Sequence, residues 1–328
     1  MKGASWLSIS VVAVVLAAIP LLLTSNTSNV ALNFITFAGI ITLAAQGWNI
    51  LAGYGGQFSF GHAAFFGTGA YAMALLQVRL GLNPWLALPI AIGIGGVVGF
   101  VIGALSFRAR LRGSYFALVT LAFAEVMRIL TNALSFTGGA AGVLVPLRVG
   151  SDNMQFQDAR VLYWLVLAFV VGALGLTAAI ARSRFGAYLV AVRENEDAAR
   201  ALGVDTLAVK LKAITVSAML TAAAGCLYTQ KSLYLDAGIG FGPWISVDAL
   251  LSPIVGGMGT VFGPLVGAAA LLGLGEVTKA LFANLAGGAA PGVDLIVFGV
   301  LLILSVAFAP QGLMGLVRAL RPSGKGGA

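Results

Sequence analysis

The side chains best suited to chemistry in this sequence are two pairs of opposite charge that interrupt long apolar runs. Glu125 and Arg128 form the first pair, and Glu276 and Lys279 form the second. A spacing of three residues places both members on one helix face, where each charge lowers the cost of burying the other. Two interpretations stay open: the buried pairs line a polar path, or they are structural pairs that face a neighbouring helix.

A glycine-rich stretch with polar side chains, from Gly53 to His62, separates two apolar runs. Glycine costs about 1 kcal/mol relative to alanine in a helix interior, so this stretch does not predict a lipid-facing helix. It is either a broken helix or re-entrant turn beside a permeation path, or a tight turn between two helices. His62 is the only histidine, and no cysteine or carboxylate cluster lies near it in sequence. We therefore predict a hydrogen-bonded residue near a helix end, no metal site and no catalytic residue.

The most strongly charged segment runs from Ser183 to Lys212. Its centre, from Arg193 to Gly203, has the pattern of one short amphipathic helix that ends at a glycine. A charged helix that projects from an apolar bundle indicates a docking element for a cytoplasmic partner, and a solvated loop is the alternative.

The elements that position these residues follow from composition. Of 328 residues, 59% are hydrophobic and only 9% are charged, with a mean hydropathy of +1.00. That excludes a soluble enzyme, a nucleic-acid-binding domain and a disordered chain, because a water-exposed surface needs far more charge. Lipid is the predicted solvent. The single cysteine, Cys226, cannot form an intrachain disulfide.

We predict an all-α polytopic membrane protein with about ten transmembrane helices in one domain, residues 1–328. The predicted spans are Ser5–Leu23, Val30–Leu51, Ala63–Val78, Pro84–Phe107, Gly113–Leu134, Arg160–Ala181, Leu211–Gln230, Val247–Gly257, Pro264–Ala283 and Val293–Ala309. Basic residues concentrate on one side when both termini are placed in the cytoplasm. The first span is expected to be a retained helix, and a cleaved signal peptide is the alternative.

Small residues recur every three or four positions in several spans, as at Gly93, Gly96, Gly99 and Gly103. Such spacing predicts close helix–helix packing and carries no chemistry of its own. The glycine spacing of Gly55–Gly61 is weakly similar to that of Gly256–Gly263. Two interpretations stay open: an ancient internal repeat, or two similar turns.

Several motifs carry a resemblance to a known family. Asp197–Gly203, DAARALG, resembles the EAA-x-x-x-G loop of prokaryotic ATP-binding-cassette (ABC) importer permeases, although Asp replaces Glu and the downstream Leu-Pro is absent. Five other motifs resemble branched-chain amino-acid importer permeases of the LivM branch: GYGGQFSFGHA from Gly53, LRGSYFALVTLAF from Leu111 (followed by Glu125), RENE from Arg193, GGMGTVFGP from Gly256 and FAPQGL from Phe308. They run in the family's order from about residue 47 to 316.

The resemblance implies a non-catalytic membrane subunit of a type II-like ABC importer in a bacterial or archaeal inner membrane. Its implied partners are a LivH-type permease in a heterodimer, two cytoplasmic ATPases and a periplasmic or lipid-anchored binding protein. This chain would bind no cofactor and no nucleic acid, because it lacks a Gly-x-x-x-x-Gly-Lys-Ser/Thr loop and ATP is used by the ATPases.

Two sets of site residues are expected on this basis. The loop 183–210 would couple to the ATPase through Arg193, Glu194, Asn195, Glu196, Asp197, Ala198, Ala199 and Gly203. The translocation path would include Gln57, Ser59, His62, Phe65, Tyr115, Thr120, Glu125, Arg128, Glu276 and Lys279.

Two alternatives remain at this stage. Leucine, isoleucine and valine are the first choice of substrate, and related permeases serve urea, short amides or aromatic acids. The chain could instead be an ion-driven secondary transporter, with Glu125 and Glu276 as proton or sodium sites. The loop from Arg193 to Gly203 argues against that class, because a self-sufficient carrier needs no ATPase dock.

Overall fold

A computed structural model describes residues 6–22 and 28–285, together with 296, 299–300 and 312–315. Within these residues the helices are α1 Trp6–Leu22, α2 Ser28–Trp48, α3 His62–Val78, α4 Pro84–Arg108, α5 Ser114–Ala133, α6 Ala159–Arg182, α7 Arg184–Glu194, α8 Glu196–Ala201, α9 Thr206–Ser232, α10 Ala237–Phe241, α11 Pro243–Gly256 and α12 Gly263–Leu285. A π-helical turn, Asn49–Tyr54, extends α2. One short antiparallel ladder pairs β1 Val143–Leu144 with β2 Tyr234–Leu235.

Six helices of the described part are long and apolar enough to cross a membrane. They are Asn29–Tyr54, Pro84–Arg108, Ser114–Ala133, Ala159–Arg182, Thr206–Ser232 and Ala237–Gly256. Trp6–Leu22 and Gly263–Thr278 are shorter apolar helices. The helical, polytopic class is therefore confirmed, whereas ten crossings are not established. The tenth predicted span lies outside the described residues except for 296 and 299–300.

Helix α3 lies at the centre of the bundle and corresponds to the third predicted span. It has 17 residues, and most of them, including Phe65 and Phe66, are fully buried. Seventeen residues is the short end of the range that crosses the hydrocarbon core, so a crossing by α3 stays a prediction. It is an interior helix enclosed by its neighbours.

The predicted small-residue packing occurs between α4 and α9. A β-carbon added at Gly103 would lie 2.5 Å from Ile214 Cγ2, and one added at Gly99 would collide with the β-carbon of Ala218. Gly96 faces Met219 in the same way, whereas Gly93 has open space around it. Glycine thus permits the close approach of these two helices.

Polar caps set where the helices begin. Helix α9 begins at Thr206, five residues before the predicted Leu211, because the Asp205 carboxylate accepts the N–H of Ala208 at 3.0 Å. Helix α7 begins in the same way, with the Ser183 hydroxyl accepting the N–H of Gly186 at 3.2 Å. Helices α7 and α8 therefore form a short helical link between the long helices α6 and α9.

Candidate functional site

The charged segment contains two helices, so the single helix predicted from Arg193 to Gly203 is wrong. The break is Asn195, whose φ of −158° is extended and whose side chain accepts the N–H groups of Asp197 at 3.1 Å and Ala198 at 2.9 Å. Arg193 and Glu194 instead close α7. The signal for this break is an asparagine directly before two acidic residues, the pattern of a helix N-cap.

Glu196 ties α8 to the bundle. Its side chain is only 11% exposed, and its carboxylate accepts Lys210 Nζ at 2.8 Å and Arg200 Nη2 at 2.9 Å, with Arg112 Nε at 3.4 Å. Burial raises the pKa of this carboxyl, but the hydrogen bond and charge of Lys210, with the charges of Arg112 and Arg200, outweigh burial and hold the pKa below its ordinary value. The carboxylate is ionised and fastens α8 to α9.

Asp197 makes a second, more exposed connection. Arg112 donates to both of its carboxylate oxygens, at 3.0 and 3.2 Å, and this hydrogen bonding lowers the pKa of Asp197. Arg112 lies in the link before α5, so α8 is joined to two different parts of the bundle. The predicted coupling residues Glu196 and Asp197 hold α8 in place rather than extend freely into solvent.

The exposed side of α8 carries small apolar side chains beside the charged Asp197 and Arg200. Ala199 points inward and is buried, whereas Ala198 and Ala201 are exposed and Leu202 is 86% exposed. Gly203, with φ of +86°, then turns the chain away in a left-handed conformation that favours glycine. The result is a short apolar ridge surrounded by charged side chains, which is the composition of a docking surface.

Arg193 connects the charged segment to the glycine-rich stretch. Its Nη1 donates to the carbonyl of Gly53 at 2.8 Å, while Nη2 and Nε bind Glu194. Gly56 adopts a φ of +68°, and a β-carbon there would lie 2.6 Å from Arg193 Cγ. The two predicted sites, far apart in sequence, are therefore in direct contact.

The glycine-rich stretch in turn contacts the link between α11 and α12. Asn49 accepts the N–H of Gly259 at 2.8 Å and donates to the carbonyl of Thr260 at 2.9 Å, and Gln46 donates to the carbonyl of Val261 at 2.7 Å. Gly53 itself lies against Gly259, because a β-carbon at Gly53 would come within 2.7 Å of the Gly259 nitrogen. The sequence analysis did not include Gln46 and Asn49 among the site residues. The available signal was two amide side chains within an apolar run, just before the glycine-rich stretch.

Four predicted path residues are buried around the start of α3. His62 Nε2 lies 2.9 Å from Ser217 Oγ, and the His62 ring lies edge-on to Phe65. Ser59 accepts the Trp48 indole N–H at its carbonyl, at 2.8 Å, and Thr120 Oγ1 accepts the N–H of Phe60 at 3.2 Å. These side chains are brought together, but their contacts are internal to the bundle. The hydrogen-bonded environment expected for His62 is confirmed.

The other predicted path residues lie at the periphery. Glu125 and Arg128 form a bidentate pair, at 2.6 and 2.9 Å, and their side chains are 49% and 35% exposed. The predicted pairing on one helix face is confirmed, and the pair occupies the outer face of α5, as Tyr115 does. Glu276 is also exposed, Gln57 is partly buried, and the side chain of Lys279 lies outside the described residues.

Asp248 is a charged residue that the sequence prediction missed. It lies within the apolar helix α11 and is partly buried. Among the residues that the structure describes, no hydrogen-bond or ion-pair partner of its carboxylate is found. A carboxylate inside an apolar run was the available signal, and such groups face protein or water rather than lipid.

Comparison with known proteins gives consistent matches. Residues 30–306 match the profile of the family described as branched-chain amino acid transport system / permease component. The chain is 29% identical to LivM of Salmonella typhimurium over 307 residues, covering 86% of this chain and 69% of the relative. It is 29% identical to LivM of Escherichia coli over 323 residues (91% and 72%) and 25% identical to LivH of Salmonella typhimurium over 300 residues (86% and 94%). These relatives carry the description of high-affinity branched-chain amino acid transport system permease proteins. No solved structure matches significantly.

Proposed function

Because the chain belongs to the branched-chain amino acid transport system permease component family, we propose that it is a membrane permease subunit of an ABC importer for branched-chain amino acids. The observation that carries this proposal is the family match over residues 30–306. Apart from Asn29, that range includes the six helices of the described residues that are long and apolar enough to cross a membrane. The chain provides the path and the mechanical linkage, and performs no catalysis.

The proposed assembly pairs this chain with a second permease of the LivH type. Similarity to both LivM and LivH supports a pair of related subunits. Two cytoplasmic ATPases and a periplasmic or lipid-anchored binding protein complete the importer, and ATP is bound and hydrolysed by the ATPases. The chain crosses the inner membrane about ten times with both termini in the cytoplasm, an arrangement supported by its basic-residue bias.

Helix α8 is proposed as the coupling helix that docks into an ATPase. Its exposed ridge, Ala198, Ala201 and Leu202, supplies apolar contact, and the ion pairs of Glu196 and Asp197 hold it against the bundle. A helix fastened by several charge-assisted hydrogen bonds transmits force better than a solvated loop, because it moves with α9.

The route from the ATPase to the membrane interior passes through Arg193. Arg193 binds the Gly53 carbonyl, and the π-helical turn that contains Gly53 binds the α11–α12 link through Asn49. Displacement of α7 and α8 would therefore shift the end of α2 and the start of α12 together. These are the places where two helices are interrupted, and interrupted helices commonly adjoin substrate paths.

The outer face of α5 is proposed to face the second permease across the translocation path. The exposed Glu125–Arg128 pair would be costly against lipid, so protein or water is expected to cover it. Asp248 of α11 is assigned to a protein- or water-facing surface by the same argument. A bidentate pair and a lone carboxylate offer contacts for the charged ends of an amino acid.

The substrate class is tested with the purified complex. The binding protein loaded with leucine, isoleucine or valine is expected to stimulate ATP hydrolysis, whereas urea, a short amide or an aromatic acid is not. Stimulation by one of these other ligands alone would move the assignment to a different substrate within the same family. Loss of stimulation in a complex that lacks this chain is the control.

A further inference from the structure

An apolar groove of about 410 Å³ opens on the outside of the bundle between α4 and α9. Its lining is Phe100, Ala208, Leu211, Lys212, Thr215 and Val216. Lys212 is the only charged member of this lining, and it lies six residues after the start of α9, about 9 Å along the helix. The groove thus combines an apolar wall with one cation, midway along the part of α9 that lines it.

The surface around the groove is continuous with an exposed apolar helix face. Phe100 is 49% exposed, and Val97, Val101 and Leu105 on the same helix are 63%, 48% and 57% exposed. In a membrane subunit, such a face contacts acyl chains unless another protein covers it. The groove is therefore a recess within a surface suited to lipid.

Lys212 also lines a second, more polar cleft of about 340 Å³ that begins where the groove ends. This cleft contains Tyr188 of α7 and Asp205, and it shares Ala208 and Lys212 with the groove. Asp205 is occupied as the cap of α9, whereas the Lys212 ammonium has no hydrogen-bond or ion-pair partner among the described residues. An uncommitted ammonium between a polar cleft and an apolar groove suits a ligand with an anionic head and an apolar tail.

Two further cations lie at the C-terminal end of α4. Arg108 is the last residue of α4, Arg110 follows the helix, and both line a neighbouring cleft of about 440 Å³. Within the described part of the chain, neither side chain has an ion pair, in contrast to Arg112 and Lys210, which are neutralised by Glu196 and Asp197. Among the described residues, cations without an ion pair therefore line the groove, at Lys212, and the neighbouring cleft, at Arg108 and Arg110, although the two cavities share no lining residue.

We propose that the groove between α4 and α9 binds an anionic phospholipid, with an acyl chain along Phe100 and Leu211 and the headgroup phosphate at Lys212. Charge complementarity selects an anionic over a zwitterionic headgroup, and the long lysine side chain lets the ammonium reach the interface. The bound lipid would lie directly below α7 and α8, so it would support the segment that carries the docking ridge.

The experiment measures lipid retained by the full-length chain in the complex with which it purifies. After delipidation, phosphatidylglycerol or phosphatidylcholine is added back and bound lipid is counted by native mass spectrometry. Lys212→Gln removes the cation and Ala208→Phe fills the groove. Arg79→Gln, an exposed charge at the far end of α3, and Val97→Phe, an exposed position outside the groove lining, are the matched controls.

We expect phosphatidylglycerol to bind about fivefold more weakly to the Lys212 variant, the effect of one basic residue near an anionic surface. Ala208→Phe is expected to reduce binding at least as much, and the two controls to leave it unchanged. Unchanged binding in both groove variants would overturn the proposal, as would equal retention of phosphatidylcholine. Displacement of the lipid by inorganic phosphate alone would show an anion site rather than a lipid site. If the groove variants lost a partner subunit and kept their lipid, the proposal would also be overturned, because the groove would then be a protein contact.

Discussion

At the residue scale, the position of α8 depends on Glu196, whose carboxylate contacts three cations, Arg112, Arg200 and Lys210. Lys210 is only 5% exposed, so its ammonium relies on Glu196 for neutralisation. Removing one partner of a buried pair costs more than the pair contributes, because the other charge is left uncompensated. Glu196 belongs to the RENE motif, so the sequence could predict it as a site residue. Its three cationic partners could not be predicted as a set, because they come from separate parts of the chain.

Replacing Glu196 by Gln is expected to destabilise the chain. The variant leaves Lys210 unpaired and should lose about 1–3 kcal/mol of unfolding free energy, the penalty of an unsatisfied buried group. Thermal unfolding in detergent measures the shift. The matched control is Glu194→Gln, because the Glu194 carboxylate is 67% exposed and should matter little. Equal shifts for the two variants would contradict the assigned role of Glu196.

The contribution of Glu196 is also expected to depend on pH. Its pKa in the folded chain is held below the ordinary value of 4.5, so the ionised form stabilises the fold above that value. The contribution is lost as pH falls through the folded-state pKa. The difference in melting temperature between the wild type and Glu196→Gln should therefore be constant near neutral pH and shrink as the pH falls below the ordinary value of 4.5. A difference that grows on acidification would contradict this sign.

At the element scale, α7, α8 and the π-helical turn lie in one continuous set of contacts, which we propose as the coupling route. Arg193, near the end of α7, donates a hydrogen bond to the Gly53 carbonyl. Asn49, in the same π-helical turn as Gly53, accepts the N–H of Gly259 in the α11–α12 link. A loop and a glycine stretch were predicted from residue type and motif resemblance. Their contact could not be predicted, because 140 residues separate Arg193 from Gly53 and tertiary packing alone brings them together.

Arg193→Gln is expected to uncouple transport from ATP hydrolysis. The variant loses one charge-assisted hydrogen bond, worth about 1.5–3 kcal/mol, so transport per ATP hydrolysed should fall about tenfold or more while the ATPase still docks on α8. Simultaneous measurement of uptake and phosphate release in proteoliposomes gives this ratio. Arg184→Gln, at the exposed start of α7, should keep the ratio of the wild type. A normal ratio in the Arg193 variant would remove Arg193 from the coupling route.

At the scale of the whole molecule, a second permease is proposed to pack against the outer face of the bundle. Composition was sufficient to predict a helical membrane protein, and motif resemblance was sufficient to predict its family. Pairing of Glu125 with Arg128 could be predicted, but not what surrounds the pair, because helical spacing shows which residues share a face and not which neighbour covers that face. In the described chain the pair lies on the outside of α5, where a second permease is proposed to pack.

Cross-linking tests the proposed position of α5. Cys226 is the only cysteine and is buried, so Cys226→Ala provides a simple background. Val126→Cys on the outer face of α5 should cross-link to the second permease, whereas Val97→Cys on α4 should not. Both positions are at least half exposed in this chain, so exposure alone does not separate them. Cross-linking at Val97 and not at Val126 would place the partner on the opposite surface.

The most direct test of the central claim is uptake of labelled leucine into proteoliposomes that contain the complete complex and its binding protein. We predict uptake that requires hydrolysable ATP and is abolished by Ala199→Pro, because proline removes the N–H that donates to the Asn195 carbonyl at 3.0 Å and breaks α8. The purified chain alone should show no uptake under a proton or sodium gradient. Gradient-driven uptake by the chain alone, or ATP-driven uptake unaffected by Ala199→Pro, would contradict the claim that α8 couples an ATPase to this permease.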